Sequence, residues 1–314
     1  MTWNPIIVGV DLSPASLRAA TVAARLAAKG GAGLIPVYAV PLVPVFSGAG
    51  GMEMGPIASP QLQEVLVRGA RGQVTRALEG TVPADALARL VVESGPAPFV
   101  LADVARRIGA ELIVLGGKPH GALARGLGRS TAHHLVRTLD VPVLVVGASD
   151  APIATLLAAV DLSAASGPTI EAAEQLTRML NAQLRLLHVV EPLRFLDVMP
   201  DLWDQEAYVQ RSQVAFTRLA SRCHAVPETN RAVLSGVAAD TIAEAAGAWR
   251  ADLIVVGSHG KGWVDRLLVG STTERLVTEL PASVLVVPTS RHAAGRVPRR
   301  AGRRASRGRS PATV

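Results

Sequence analysis

Residues 6–16 read IIVGVDLSPAS, and 150 positions later the chain spells nearly the same thing, LLAAVDLSAAS, at 156–166. An apolar, β-branched run stopped by Asp-Leu-Ser and followed by small residues is a buried strand handing over to a helix. Two more stretches recur, both 141 residues apart. ELIVLGG (111–117) returns as DLIVVGS (252–258), and VPVLVVG (141–147) as ASVLVVP (282–288). Repetition over the whole length means one structural unit written twice. The two offsets differ by nine residues, and Gly95 and Gly236 already share the shorter one. The first half therefore carries an insertion after its second strand, within PLVPVFSGAGGMEMGPIASP (41–60), whose glycines and prolines suggest a mobile loop.

At 314 residues the chain is too long for one comfortable core and suits two domains. The repeats place these at 1–148 and 149–290, followed by a tail at 291–314. Within the second half, apolar runs alternate with segments of three- and four-residue periodicity. The runs are ATLLAAVD (154–161), QLRLLHVV (183–190), RAVLSG (231–236), ADLIVVG (251–257) and ASVLVVP (282–288). Strands that read as continuous Val/Leu/Ile, each followed by a helix, describe a parallel sheet covered on both faces. The expected fold class is α/β: two tandem, doubly wound, Rossmann-like parallel sheets of five strands each.

The composition is that of a globular protein, 49% hydrophobic and 18% charged, with 3% aromatics. Its net charge of +7 would suggest a nucleic-acid partner, but the last 24 residues hold eight arginines and no acid. Residues 1–290 are left with 24 basic against 25 acidic side chains, so the globular part is not basic. The tail, rich in Gly, Pro, Ser and Arg, is expected to be disordered. It serves as a solubilising extension, as a weak contact for nucleic acid, or as the frame of a phosphorylation site at Ser306 within RRAS. The lone Cys223 excludes an intrachain disulfide and multi-cysteine metal sites. No apolar run is long enough to span a membrane, and MTWNPIIVGVDLS lacks a basic segment ahead of an apolar one. A cytoplasmic protein with no membrane partner is the expectation.

Sheets of this kind bind ligands beyond the carboxyl ends of their strands, at the switch point where strand order reverses. That directs attention to the ends of strands one and four. In the second half strand one ends at Asp161, and strand four runs into GSHGKGWVDRLLVGST (257–272). Gly257, Gly260, Gly262 and Gly270 let backbone amides approach an anion closely. Ser271 and Thr272 are read as the cap and first turn of a helix whose dipole favours negative charge. His259 and Lys261 add donors, and Ser258 lies among them.

The spacing Gly, two residues, Gly, nine residues, Gly-Ser resembles the nucleotide-binding signature of the universal stress protein family, and the Val-Asp ending of strand one is similar to that family's adenosine-contacting aspartate. Both halves resemble the family over their whole length. The resemblance implies that ATP, with or without Mg²⁺, is the ligand. It further implies that Asp161 and the backbone of Val189 hold the adenine and ribose edge, and that Gly257, Ser258, His259, Gly260 and Gly270 to Thr272 wrap the phosphates. It also implies that the fifth strands pair the two halves, and pair chains into a homodimer. The matching residues of the first half are Asp11, Ala39, Gly116, Gly117, Lys118, Arg129, Ser130 and Thr131. That loop departs from the pattern: Pro119 replaces Gly260, losing an N–H, and Arg129 replaces Gly270. Arg129 brings bulk, and also a guanidinium suited to phosphate. The two sites are therefore expected to be unequal.

Other chemistries lack their motifs. The chain has no G-x-x-x-x-G-K-[ST] loop, no G-x-G-x-x-G after its first strand and no G-x-S-x-G elbow. Adjacent His133 and His134 point about 100° apart on a helix and make a poor metal pair. Phosphoryl transfer needs acids for Mg²⁺ and a residue to place the acceptor, and Asp161 and Asp265 offer little of that. The expected function is nucleotide binding as a ligand signal to a regulatory protein partner in stress response, with little or no hydrolysis. A scaffold of the same fold without nucleotide and a weak ATPase are the alternatives.

Overall fold

The computed structural model describes residues 3–41, 60–117, 131–191, 205–223, 226–258 and 269–288. The insertion at 42–59, the loop residues Lys118, Pro119, Arg129, Ser130, His259, Gly260, Lys261 and Gly262, Asp265, and the tail with Ser306 lie outside them.

The first half runs β1 (Ile6–Val10), α1 (Pro14–Gly30), β2 (Leu34–Val40), α2 (Pro60–Leu78), α3 (Ala84–Ala88), β3 (Val91–Ser94), α4 (Ala97–Ile108), β4 (Leu112–Gly116), α5 (Thr131–Thr138) and β5 (Val143–Val146). The second half runs β6 (Thr155–Val160), α6 (Ser166–Leu180), β7 (Gln183–Val190), α7 (Gln205–Ala220), β8 (Arg231–Ser235), α8 (Ala238–Trp249), β9 (Leu253–Gly257), α9 (Ser271–Glu279) and β10 (Ser283–Val287). Where the first half has the short helix α3, the second has a single 3₁₀ turn, Glu228–Asn230.

All ten strands form one sheet in the order β3-β2-β1-β4-β5-β10-β9-β6-β7-β8. Each half is parallel throughout, with its switch point between strands one and four: β1/β4 and β6/β9. The halves meet through one antiparallel pair, β5 with β10, in the register Val145 opposite Val284 and Leu144 opposite Leu285. The expected pairing of the halves through their fifth strands is present within the chain and joins the two five-stranded parallel sheets edge to edge into one of ten strands. Among the described residues β5 and β10 each have a neighbour on both sides, and the outer strands are β3 and β8.

Strand alternation sorts the apolar side chains into two continuous cores. Ile6, Val8, Val10, Leu285 and Val287 face one side, packed under α1, α2, α6 and α7. Ile7, Val145, Val284 and Val286 face the other, under α4, α5, α8 and α9. Leu144 and Leu285 sit together in the first core and are 2% and 1% exposed, so the junction between halves is as dry as the interior of either. Cys223 sits just beyond α7 and is buried. No described helix is long and apolar enough to cross a membrane.

Candidate functional site

The chain leaves β6 through Asp161-Leu162-Ser163, and Leu162 takes a left-handed conformation, φ 63°. Leu12 does the same at the end of β1. A leucine there costs about 1 to 2 kcal/mol, offset by its packing against the first core. The turn is tied by the aspartate. Asp161 Oδ1 accepts from the Ser163 amide at 3.0 Å, the Ser163 hydroxyl at 2.6 Å and the Ser166 hydroxyl at 3.2 Å. Its other oxygen, Oδ2, is buried and has no hydrogen-bond partner among the described residues. Asp161 therefore does not cap α6, whose N-cap is Ala165. One oxygen holds the turn and the other lacks a donor.

Beside it, β9 ends at Gly257 and α9 begins. Sequence spacing made Ser271 the cap; in the structure Gly270 holds that position, with no side chain to offer the helix amides. Ser271 and Thr272 are thus the first two residues of α9, with their amides at the positive end of its dipole. Two expected phosphate ligands are otherwise occupied. The Ser258 amide donates to the Val287 carbonyl at 2.8 Å with the residue 3% exposed, and the Gly270 amide donates to the Ser258 carbonyl at 3.0 Å. These bonds close the base of the loop and take both N–H groups away from any anion.

Asp161, Val189, Gly257, Gly270, Ser271 and Thr272 line one cavity of about 340 Å³ over the ends of β6 and β9. Further lining residues went unread in the sequence. His188 is buried, donating from Nδ1–H to the Val160 carbonyl at 2.8 Å and stacked near Phe216. Glu191 accepts from the Ala238 amide at 2.9 Å and so caps α8. Thr169 and Tyr208 complete the polar side. Thr273, 5% exposed, donates its hydroxyl to the Gly257 carbonyl at 2.8 Å and fastens α9 to the end of β9. On the outer face of α9, Arg275 bridges Glu279 and Asp240 of α8, and the hydrogen bond to Glu279, then that to Asp240, raises its guanidinium above the ordinary value.

A family model described as the universal stress protein family matches residues 2–147 and again 153–288. The chain belongs to the universal stress protein family. A universal stress protein of Mycobacterium tuberculosis is 29% identical over 302 residues, 90% of this chain and 94% of that protein. Another from the same organism is 31% identical over 190 residues, 58% of this chain; the match spans 63% of that relative's length. Among solved structures, a universal stress protein from Archaeoglobus fulgidus superposes with TM-score 0.66 at 15% identity, over 92% of this chain and all of its own.

As a universal stress protein of tandem form, the chain can be compared with itself. Asp11, Ala39, Gly116, Gly117 and Thr131 line a second cavity, about 280 Å³, over β1 and β4. Where the second half has Thr169, His188, Glu191 and Thr273, the first has Ala19, Tyr38, Pro41 and Ala132. Asp11 is exposed, with Oδ1 accepting from the Ser13 amide at 3.0 Å and from the Ser13 hydroxyl. The Gly117 amide, like that of Ser258, is spent on a neighbouring strand, the Val146 carbonyl, at 2.8 Å. The histidine pair splits as its helical geometry demands. His133 meets the Glu274 carbonyl and Thr278 of α9, and His134 packs edge-on to Phe99 at 4.9 Å. Among the described residues no group of three metal-binding side chains occurs.

Proposed function

We propose that the second half binds an adenine nucleotide, ATP in particular, and that the bound nucleotide acts as a signal to a regulatory partner in stress response rather than as a substrate. The observation that carries this is the pairing, in one cavity, of a buried carboxylate oxygen without a donor and a helix start without a cap. An orphaned buried acceptor is costly unless a ligand supplies its hydrogen, and the amino or hydroxyl edge of a nucleoside has such donors. An uncapped helix N-terminus in the same cavity supplies amides and positive potential for phosphate. The residues present fit the group: Asp161 Oδ2 for the nucleoside, the Val189 backbone beside it, and the Ser271 and Thr272 amides for the phosphates.

The acids among the described residues lining the cavity are Asp161 and Glu191, and they belong to no group of three metal-binding side chains among the described residues. Catalysis of phosphoryl transfer rests on positioned charge, so binding without turnover is the reading the site supports. Titration calorimetry of the full chain with ATP tests it, with Gly270→Glu as the comparison. Gly270 has φ −59° and ψ 141°, which any residue adopts, so the variant keeps the backbone and sets a carboxylate at the helix start. ATP binding that is unchanged in Gly270→Glu would remove this site from consideration. Mass spectrometry of the denatured protein for co-purified ATP separates this reading from a nucleotide-free scaffold.

A further inference from the structure

The cavity of the first half is built differently from its repeat. Its floor and walls are Val37, Leu101, Leu115, Val145 and Ala132, all on the second core's side of the sheet. Two more wall residues, Val277 and Leu280, come from the far half, from α9 and the residue that ends it. Leu280 enters because Gly117 has no side chain: a Cβ built on Gly117 would lie 2.3 Å from Leu280 Cδ1. At the matching position of the second half stands Ser258, whose buried side chain takes up that space, and neither Val136 nor Leu139, the counterparts of Val277 and Leu280, lines the second-half cavity. One helix thus borders both cavities, its polar start on one and its apolar end on the other.

Charge separates the two cavities further. Among the described residues lining the first-half cavity, Asp11 is the single ionisable one, and it sits exposed at the mouth. No Lys, Arg or His is among them. Besides Asp11, Ser16 and Thr131 the described lining is Gly, Ala, Val and Leu, so a ligand there gains chiefly by burying apolar surface, about 25 cal/mol for each Å² it removes from water. From this we infer that the first-half cavity is a second ligand site of distinct chemistry, taking a small uncharged, mainly apolar molecule about the size of a two-ring aromatic, with α9 of the second half as one wall.

The inference does not rest on nucleotide binding by the second half. The test uses the full chain and the neutral fluorophore N-phenyl-1-naphthylamine. Ala97 and Ala238 are repeat counterparts, each lining its own half's cavity. Saturable fluorescence enhancement at one probe per chain is expected, weakened at least tenfold in Ala97→Trp and unaltered in Ala238→Trp. Circular dichroism checks that each variant is folded, and Ala39→Phe, which fills the same cavity from β2, replaces Ala97→Trp if that variant is not. Saturating ATP should leave the probe bound. The idea is overturned by absence of saturable binding, by loss in Ala238→Trp instead, by equal binding in all the folded variants, or by competitive displacement with ATP, which would make the cavity a nucleotide site.

Discussion

Thr273 and Gly257 are joined by a 2.8 Å hydrogen bond from the threonine hydroxyl to the glycine carbonyl, and the first half, with Ala132 in place of Thr273, has no such bond. The bond holds the start of α9 at the end of β9, the two elements between which phosphate is proposed to sit. Thr273→Val keeps shape and removes the donor. Leaving a part-buried carbonyl with one partner fewer costs about 1 kcal/mol, readable by urea denaturation. Because the helix start is then held less firmly, ATP affinity should fall as well. Unchanged stability would mean that the Gly257 carbonyl is satisfied without Thr273.

Asp161→Asn separates the aspartate's two duties. The amide carbonyl can take over the bonds from Ser163 and Ser166 now made by Oδ1, while an NH₂ replaces the orphaned Oδ2. A donor facing a donor cannot serve the nucleoside edge, and the loss should be about 1 to 3 kcal/mol of binding, roughly five- to 150-fold in Kd. The free protein should be as stable as before or more so, since a buried charged oxygen without a donor is removed. Falling affinity with rising or constant Tm is the signature. Asp11→Asn, at an exposed aspartate, should alter neither by a comparable amount.

Much of this was legible in the chain. The doubled Val-Asp-Leu-Ser segments gave away two copies of one unit, and uninterrupted apolar strands gave away a parallel sheet covered on both faces. Strand ends then located Asp161 and Gly257 without reference to side-chain contacts. What stayed hidden depends on distances across the fold. Ser258 and Gly270 have the residue types of an anion loop, yet their amides are consumed by Val287 and by Ser258 itself, and no local pattern reveals a bond to a strand thirty residues away. His188 did leave a trace, as the polar residue in the otherwise apolar half of QLRLLHVV. Its proximity to Asp161 follows only from the parallel register of β6 with β7, which sets Val160 opposite His188. Leu280 is ordinary in sequence and gains its role solely from the antiparallel junction.

Two adjacent glycines should respond differently to the same methyl group. A Cβ at Gly116 would lie 2.4 to 2.5 Å from the backbone of Ala15 and Ser16, where α1 begins, so Gly116→Ala must move a helix. A Cβ at Gly117 meets chiefly the flexible end of Leu280, besides Val145 Cγ1 and the Val146 carbonyl at 2.9 Å. Overpacking costs about 1 to 3 kcal/mol where side chains can shift and more where backbone blocks. Gly116→Ala is therefore the more damaging. In a Leu280→Ala background the cost of Gly117→Ala should shrink by about 1 kcal/mol, while that of Gly116→Ala should not. Denaturation of the double-mutant cycle reads both, and additivity at Gly117 would show that Leu280 does not fill the space it leaves.

The junction between the halves should be the last part of the protein to open. β5 and β10 lie at the centre of the ten-stranded sheet, flanked on both sides, with Val143, Val145, Val284 and Val286 buried in one core and Leu144 and Leu285 in the other. Opening them exposes both cores of both halves at once, so their amides should exchange only through global unfolding. β3 and β8, at the two edges, have one neighbour each, and β8 has no buried residue, its pattern running from intermediate to exposed. Hydrogen exchange followed by mass spectrometry should rank β5 and β10 as most protected and β8 as least. The Ser283 hydroxyl oxygen accepts from the Gly147 amide at 3.1 Å, a buried bond that ties the halves together at this junction. Ser283→Ala should therefore lower protection in β5 and β10 together, by about 1 kcal/mol or more for the orphaned amide, and leave β8 at its original rate. Separate, unequal loss in the two strands would mean that the halves unfold as independent units despite the shared sheet.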